Sequence, residues 1–158
     1  VPIIAIAPML NIWVGPGLRA ATGSALIVSV FPIIANTITG IRSVDPALRD
    51  LFKLYRGSRV QTLVKLELPS ALPNIFTGVR IAAGLSVIGT IVGEFVAGFA
   101  DDDAGLGIKI LVANKQLRTD LSFAAVGIAS ALGLVMFVVV GAIATRLTRR
   151  WHASSQGG

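Results

Sequence analysis

The sequence predicts an all-α, polytopic bundle of transmembrane helices with a polar helical loop on one side. Three observations predict it. The chain has 158 residues, of which 54% are hydrophobic and 14% charged, with a mean hydropathy of +0.80. A soluble domain carries about 25% charged residues, so this is the composition of a protein solvated by lipid. Three apolar segments, about 18–40, 74–100 and 121–147, are each long enough to cross a hydrocarbon core of about 30 Å at about 1.5 Å per residue. Between the first two lies a basic, helix-forming loop, residues 41–73.

Composition also excludes several functions. The net charge is +6 and the isoelectric point is near 10.8, which in a soluble domain points to nucleic acid. Here the basic residues flank apolar runs, where they orient a protein in the bilayer, so no nucleic-acid partner is expected. There are no cysteines, hence no disulfide or thiol nucleophile, and the one histidine is His152. No metal site and no cofactor are expected. No Gly-Lys-Ser/Thr phosphate loop is present, so the chain does not bind ATP by that route. A membrane enzyme would need a nucleophile and base, or a metal cluster, converging in the spans. Glu94 has no titratable neighbour in its apolar run, so that reading has little support.

Residues 2–13 are apolar but too short to cross alone, and Trp13 suits a membrane interface. Asn11 either lines a path or makes a helix-end hydrogen bond. Gly15-Pro16-Gly17 is a turn. The first complete span, 18–40, contains Pro32, which should kink it. Thr22, Ser29 and Asn36 recur every seven residues and share a face, which either lines a path or packs against another helix.

In the loop, Asp45-Pro46 reads as an N-cap followed by proline at the first helical position. Leu48, Leu51, Phe52 and Tyr55 follow at helical spacing, with Arg49, Asp50, Lys53 and Arg56 on the other faces. Gly57 is positioned to end this helix. Ser58 and Gln61 form a capping-box pattern for a second short helix with Leu63, Leu66 and Leu68 as its apolar residues. Pro69 and Pro73 are expected to break the chain before the next span. An amphipathic pair of this kind lies on its own protein, on lipid headgroups, or in a partner's groove.

In the second span, Ala82, Ser86, Thr90, Glu94 and Gly98 recur every four residues as one small, polar stripe, with Gly89, Gly93 and Ala97 beside it. Glu94 is the one acid inside an apolar run. It is expected either to face a path or to make a structural hydrogen bond near the outer end of its helix. Arg80, nearer the opposite end, is expected to extend toward the cytoplasmic interface. Asp101, Asp102 and Asp103 lack the ordered spacing of a calcium loop and read as solvated. Ile108–Leu117 is a short amphipathic stretch. The last span, 121–147, ends at Arg146, Arg149 and Arg150, and residues 153–158 are expected to be a disordered tail. Loop 41–73 holds six basic residues and the tail three, against three in loop 101–120, which also holds four acids. That asymmetry favours a cytoplasmic position for 41–73 and the C-terminus.

With those residues in place, Leu48–Pro69 resembles the cytoplasmic coupling loop of ABC-importer permeases. That loop carries an acid–Ala–Ala triplet, a glycine and a distal Leu-Pro. Asp50 matches the acid and Leu68-Pro69 the distal pair. Leu51 and Phe52 replace the two small residues, and Arg56 stands at the usual glycine, with Gly57 one position later. Pro2–Gly17, Phe31–Gly40, Gly78-Val79-Arg80, Gly93-Glu94-Phe95 and Gly105-Leu106-Gly107 are similar to the nitrate/sulfonate/taurine and pyrimidine-precursor branches.

The resemblance implies a permease domain over 1–152 that is the C-terminal portion of a larger protein in the bacterial inner membrane. Its implied partners are a separate ABC ATPase subunit gripping the loop, a second permease copy in a homodimer, an extracytoplasmic solute-binding protein and the lipid bilayer. The implied coupling residues are Asp50, Leu51, Phe52, Arg56, Gly57, Leu68 and Pro69. The expected path residues are Asn36, Ser86, Thr90 and Glu94. The alternative is a non-catalytic scaffold or passive channel, which has no need of a capped amphipathic pair at 45–68.

Overall fold

The computed structural model describes residues 3–97 and 105–152. The expected end of the second span at 98–100, the acidic run Asp101–Asp103 and the tail 153–158 lie outside the described residues. The described elements are helical: α1 (Ile3–Val14), α2 (Leu18–Arg42), α3 (Pro46–Leu54), α4 (Arg59–Thr62), a single π-helical turn (Leu63–Glu67), α5 (Leu68–Ala97), α6 (Leu106–Lys115) and α7 (Thr119–His152).

The central pair is α2 against α5, running antiparallel. Their surfaces meet through small residues. A methyl group added at Gly89 would come 2.7 Å from the Ala25 Cα, and one at Gly93 would come 2.6 Å from the Ala21 Cα. Backbones this close gain dispersion contacts that lipid cannot replace, which is how helices associate without a hydrophobic driving force. Helix α7 packs antiparallel on the other side of α5, with Gly84 beside Phe137 and Gly133 beside Val87. Helix α6 sits against α5 and α7, and α1 against α2 and α5.

The buried residues are mostly small: Ala20, Ala21, Ser24, Ala71, Ala82, Ala125 and Ala129. The large apolar side chains point outward, among them Ile12, Leu18, Phe31, Phe123 and Leu134. In water that distribution is unstable; in a bilayer it is the expected one, because lipid solvates the exposed Leu, Ile and Phe. Among the described residues, three helices have the length and hydropathy of membrane spans: Leu18–Arg42, Arg59–Val96 and Thr119–Arg146.

One expectation is corrected. Pro69 and Pro73 do not break the chain: the helix runs through both, continuous over the 38 residues Arg59–Val96. The π turn supplies the physical reason. The Leu68 N–H donates to the Leu63 carbonyl, one residue further back than in an α-helix. The wider turn immediately before Pro69 gives its ring room that a regular helix denies. The second amphipathic segment of the loop is therefore the root of the second span and not a separate helix.

Candidate functional site: an exposed loop helix and a cleft beside Glu94

The loop helix is built by local chemistry. The Ala47 N–H donates to Asp45 Oδ1 at 2.8 Å, and Pro46 follows where its missing N–H costs nothing. Helix α3 ends in a Schellman motif: the Gly57 N–H donates to the Phe52 carbonyl and the Arg56 N–H to the Lys53 carbonyl, both at 2.9 Å. The left-handed residue of that motif is Arg56, with φ of 55°, and not Gly57. This corrects the expectation that Gly57 ends the helix by its conformational freedom. It also shows why glycine suits the position that Arg56 occupies: a side chain there costs about 1 kcal/mol. Gly57 is required for a different reason, since a Cβ on it would come 2.9 Å from the Phe52 carbonyl oxygen.

The next cap is reciprocal. The Gln61 N–H donates to Ser58 Oγ at 3.2 Å, and the Ser58 N–H donates to Gln61 Oε1 at 2.9 Å. The loop is thus stiff at both caps while its apolar face is open. Leu48, Leu51, Leu54 and Tyr55 are all exposed, Leu54 and Tyr55 by 80% and 82%. Asp50 accepts from Lys53 Nζ at 2.8 Å, but both side chains are mostly exposed. Such a surface pair holds Asp50 weakly and leaves it available to a partner. Arg56, Leu68 and Pro69 are exposed, whereas Phe52 and Gly57 are half-buried against each other.

Two residues that the sequence did not single out join these parts. Arg49 reaches from α3 to Glu67, the last residue of the π turn, with Nε 2.9 Å from Oε1. That approach is out of line for a hydrogen bond, so the contact is an ion pair. The same guanidinium donates through Nη2 to the Ile41 carbonyl at the end of α2. Opposite charges 18 positions apart carry no local pattern, which is why sequence periodicity did not find them.

A cleft beside α5 gathers three of the four expected path residues. Ser86, Thr90 and Glu94 line a cleft of about 180 Å³ together with Leu106 and Leu132. The two hydroxyls are turned back on their own helix: Ser86 Oγ donates to the Ala83 carbonyl at 2.8 Å and Thr90 Oγ1 to the Ser86 carbonyl at 2.9 Å. The Gly107 N–H donates to Glu94 Oε2 at 2.6 Å, in the first turn of α6. Gly105 also abuts the carboxylate so closely that a Cβ there would collide with it. Glu94 therefore satisfies one of the free N–H groups at the positive end of α6.

Asn36 lies apart from these three. Its Nδ2 donates to the Pro32 carbonyl at 2.8 Å, and it packs beside Gly78. Thr22 and Ser29 likewise bond carbonyls of their own helix. Asn11 makes a helix-end bond, donating through Nδ2 to the Val96 carbonyl at the end of α5 at 3.2 Å. Arg80 is exposed and runs along α7: its guanidinium carbon lies 4.0 Å from the centre of the Phe137 ring, and its stem passes over Gly141. Among the described residues, no three or more His, Cys, Asp or Glu side chains group as a metal site.

This arrangement of apolar spans, small-residue crossings and an exposed capped loop helix is that of a membrane transport component. The chain belongs to the family of inner membrane components of binding-protein-dependent transport systems, whose model matches residues 1–152. It is 36% identical over 154 residues to the riboflavin transport system permease protein RibX of Chloroflexus aurantiacus, covering 98% of this chain and 56% of that protein. It is 32% identical to the formylaminopyrimidine transport permease protein ThiX of Halalkalibacterium halodurans, covering 89% of this chain and 54% of that one. It is also 32% identical to the putative aliphatic sulfonates transport permease protein SsuC of Escherichia coli, covering 96% and 56% respectively. The chain spans about half the length of these curated relatives.

Proposed function

We propose that the chain forms the membrane-spanning path portion of a permease subunit in an ATP-driven importer of a small polar solute. ATP is hydrolysed on a separate subunit that grips α3. The observation that carries the proposal is the open apolar face of α3. Its backbone is capped at both ends, its Leu48, Leu51, Leu54 and Tyr55 are left exposed by the described residues, and Asp50 stands on the same short helix. A helix stiffened at both ends but unburied on its apolar face is built to dock in a groove.

The basic excess supports a cytoplasmic position for loop 41–73 and the C-terminus, where ATP is available. The turn between α6 and α7 then faces the other side, where a solute-binding protein delivers its cargo to a permease dimer. The names of the relatives, which cover a vitamin, a formylaminopyrimidine and sulfonates, support a small polar solute. Alternating access driven by ATP in trans follows if closure of the ATPase moves α3. Along the path, Ser86 and Thr90 supply polar atoms in the cleft beneath Glu94, and Asn36 a separate one on α2.

The test is purification of the full-length permease from bacterial membranes in mild detergent, beside Asp50→Lys. Mass spectrometry is expected to find an ATPase with the unmodified protein and to lose it with the variant. A well-folded protein that brings no ATPase would overturn the importer reading in favour of a scaffold or passive pore.

A further inference from the structure

The geometry points to Arg49 as the positioning residue that makes the loop helix and the roots of two spans one mechanical body. This assignment rests on the coupling role proposed above. Three elements converge on one guanidinium. Arg49 itself belongs to α3, the helix offered to the partner. Its Nη2 takes the Ile41 carbonyl in the last turn of α2, one of the acceptors that a helix end leaves free. Its Nε faces Glu67, in the π turn from which α5 continues without interruption.

The pair is more than a surface contact. The side chains of Arg49 and Glu67 are only 29% and 18% exposed, against 76% and 67% for Lys53 and Asp50. Charges sheltered to that degree are screened less by water and salt. The guanidinium fixes one acceptor, the Ile41 carbonyl, by a directed hydrogen bond and keeps its delocalised charge beside Glu67, which a compact ammonium cannot do as well. Between Leu54 and Arg59 the chain turns sharply through the left-handed Arg56, so the covalent route from α3 to α5 is a bend and not a continuous helix. Arg49 closes that bend from the side. A displacement of α3 is thereby delivered to the base of α5, and to the end of α2, rather than absorbed in the turn. The π turn holding Glu67 is the wide point at which such a displacement can enter the helix.

The experiment uses the full-length permease in lipid nanodiscs with whatever ATPase accompanies it. Nitroxide labels are placed at Ala47→Cys and Thr77→Cys, both exposed, one at the start of α3 and one on α5. Electron–electron double resonance gives the distance distribution without nucleotide and after trapping with ATP and vanadate. A single narrow distance, the same in both states, is expected for the parent. Glu67→Gln should at least double its width, Arg49→Gln should broaden it further, and the double variant should match Arg49→Gln alone. Arg49→Lys, which keeps the charge but not the fork, should fall between, and it decides the matter if Arg49→Gln does not fold.

A Glu67→Gln distribution as narrow as the parent's overturns the assignment, as does a double variant whose broadening is the sum of the two singles. Absence of an ATPase from every sample overturns the coupling role instead, while the nucleotide-free widths still decide the part played by Arg49.

Discussion

Asp50 and Glu94 are two acids of one chain in opposite situations. Asp50 stands on the loop helix, exposed, with the solvated ammonium of Lys53 beside it. Glu94 stands in the cleft between α5 and α6, its carboxylate accepting from the Gly107 N–H at the start of α6 and crowded by Gly105. The difference teaches how each acid is held. Glu94 is tied to a second element of its own chain, whereas Asp50 is left open on a capped helix. The same contrast holds for the apolar residues. Leu54 and Tyr55 are bare on a short capped helix, whereas the crossing of α2 and α5 is closed to the width of an alanine.

The largest effect expected to sharpen this comparison is at that crossing. Gly93→Val should prevent a folded protein from accumulating, because its Cβ would overlap the Ala21 Cα, which is backbone and cannot swing aside as a side chain can. Overpacking of this kind costs about 1–3 kcal/mol and more where backbones must part. Yield and thermal unfolding in detergent check it, and an unchanged melting temperature would mean that α2 and α5 do not meet this closely.

Glu94→Gln comes next. Loss of the charged hydrogen bond and of the favourable charge at the start of α6 should cost about 1–2 kcal/mol, read as a lowered melting temperature. A variant as stable as the parent but defective in uptake would move Glu94 from the structural side of the comparison to the path. Arg56→Gly should stabilise the loop by about 1 kcal/mol, since glycine carries no penalty in the left-handed region. Slower amide exchange at Arg56 and Gly57 checks it. Ser58→Ala should cost about 1 kcal/mol locally, seen as faster exchange over residues 59–62. The smallest expected effect on stability is Asp50→Asn, within about 0.5 kcal/mol, because the pair it breaks is solvated.

Much of the loop was legible because its determinants are local. Asp45-Pro46 and the Ser58–Gln61 box each satisfy N–H groups within three residues, so spacing alone specifies them. The spans were legible from hydropathy because the bilayer allows a twenty-residue apolar run few other fates. What sequence could not show required a second element. Glu94 was visible as a misplaced acid, but its partner is the backbone of α6, 13 residues away. The Arg49–Glu67 pair spans the bend at Arg56, and its existence depends on the angle between α3 and the π turn. Pro69 and Pro73 read as breakers because proline usually is one; the π turn that accommodates Pro69 has no residue signature of its own, and Pro73 is carried inside α5. Arg56 took the left-handed position that Gly57 seemed to offer because the Schellman register is set by where α3 ends, at Leu54, and not by which nearby residue is most permissive.

The central claim is that the bare face of α3 meets a protein while the bare face of the spans meets lipid. Photo-crosslinking in native bacterial membranes tests it directly, with a benzophenone amino acid at Leu54 or at Phe123, which are 80% and 74% exposed. The account predicts that the Leu54 probe yields a discrete crosslink to an ATPase subunit and that the Phe123 probe yields none. An ATPase crosslink absent from both positions, in a permease shown to be folded, would contradict it.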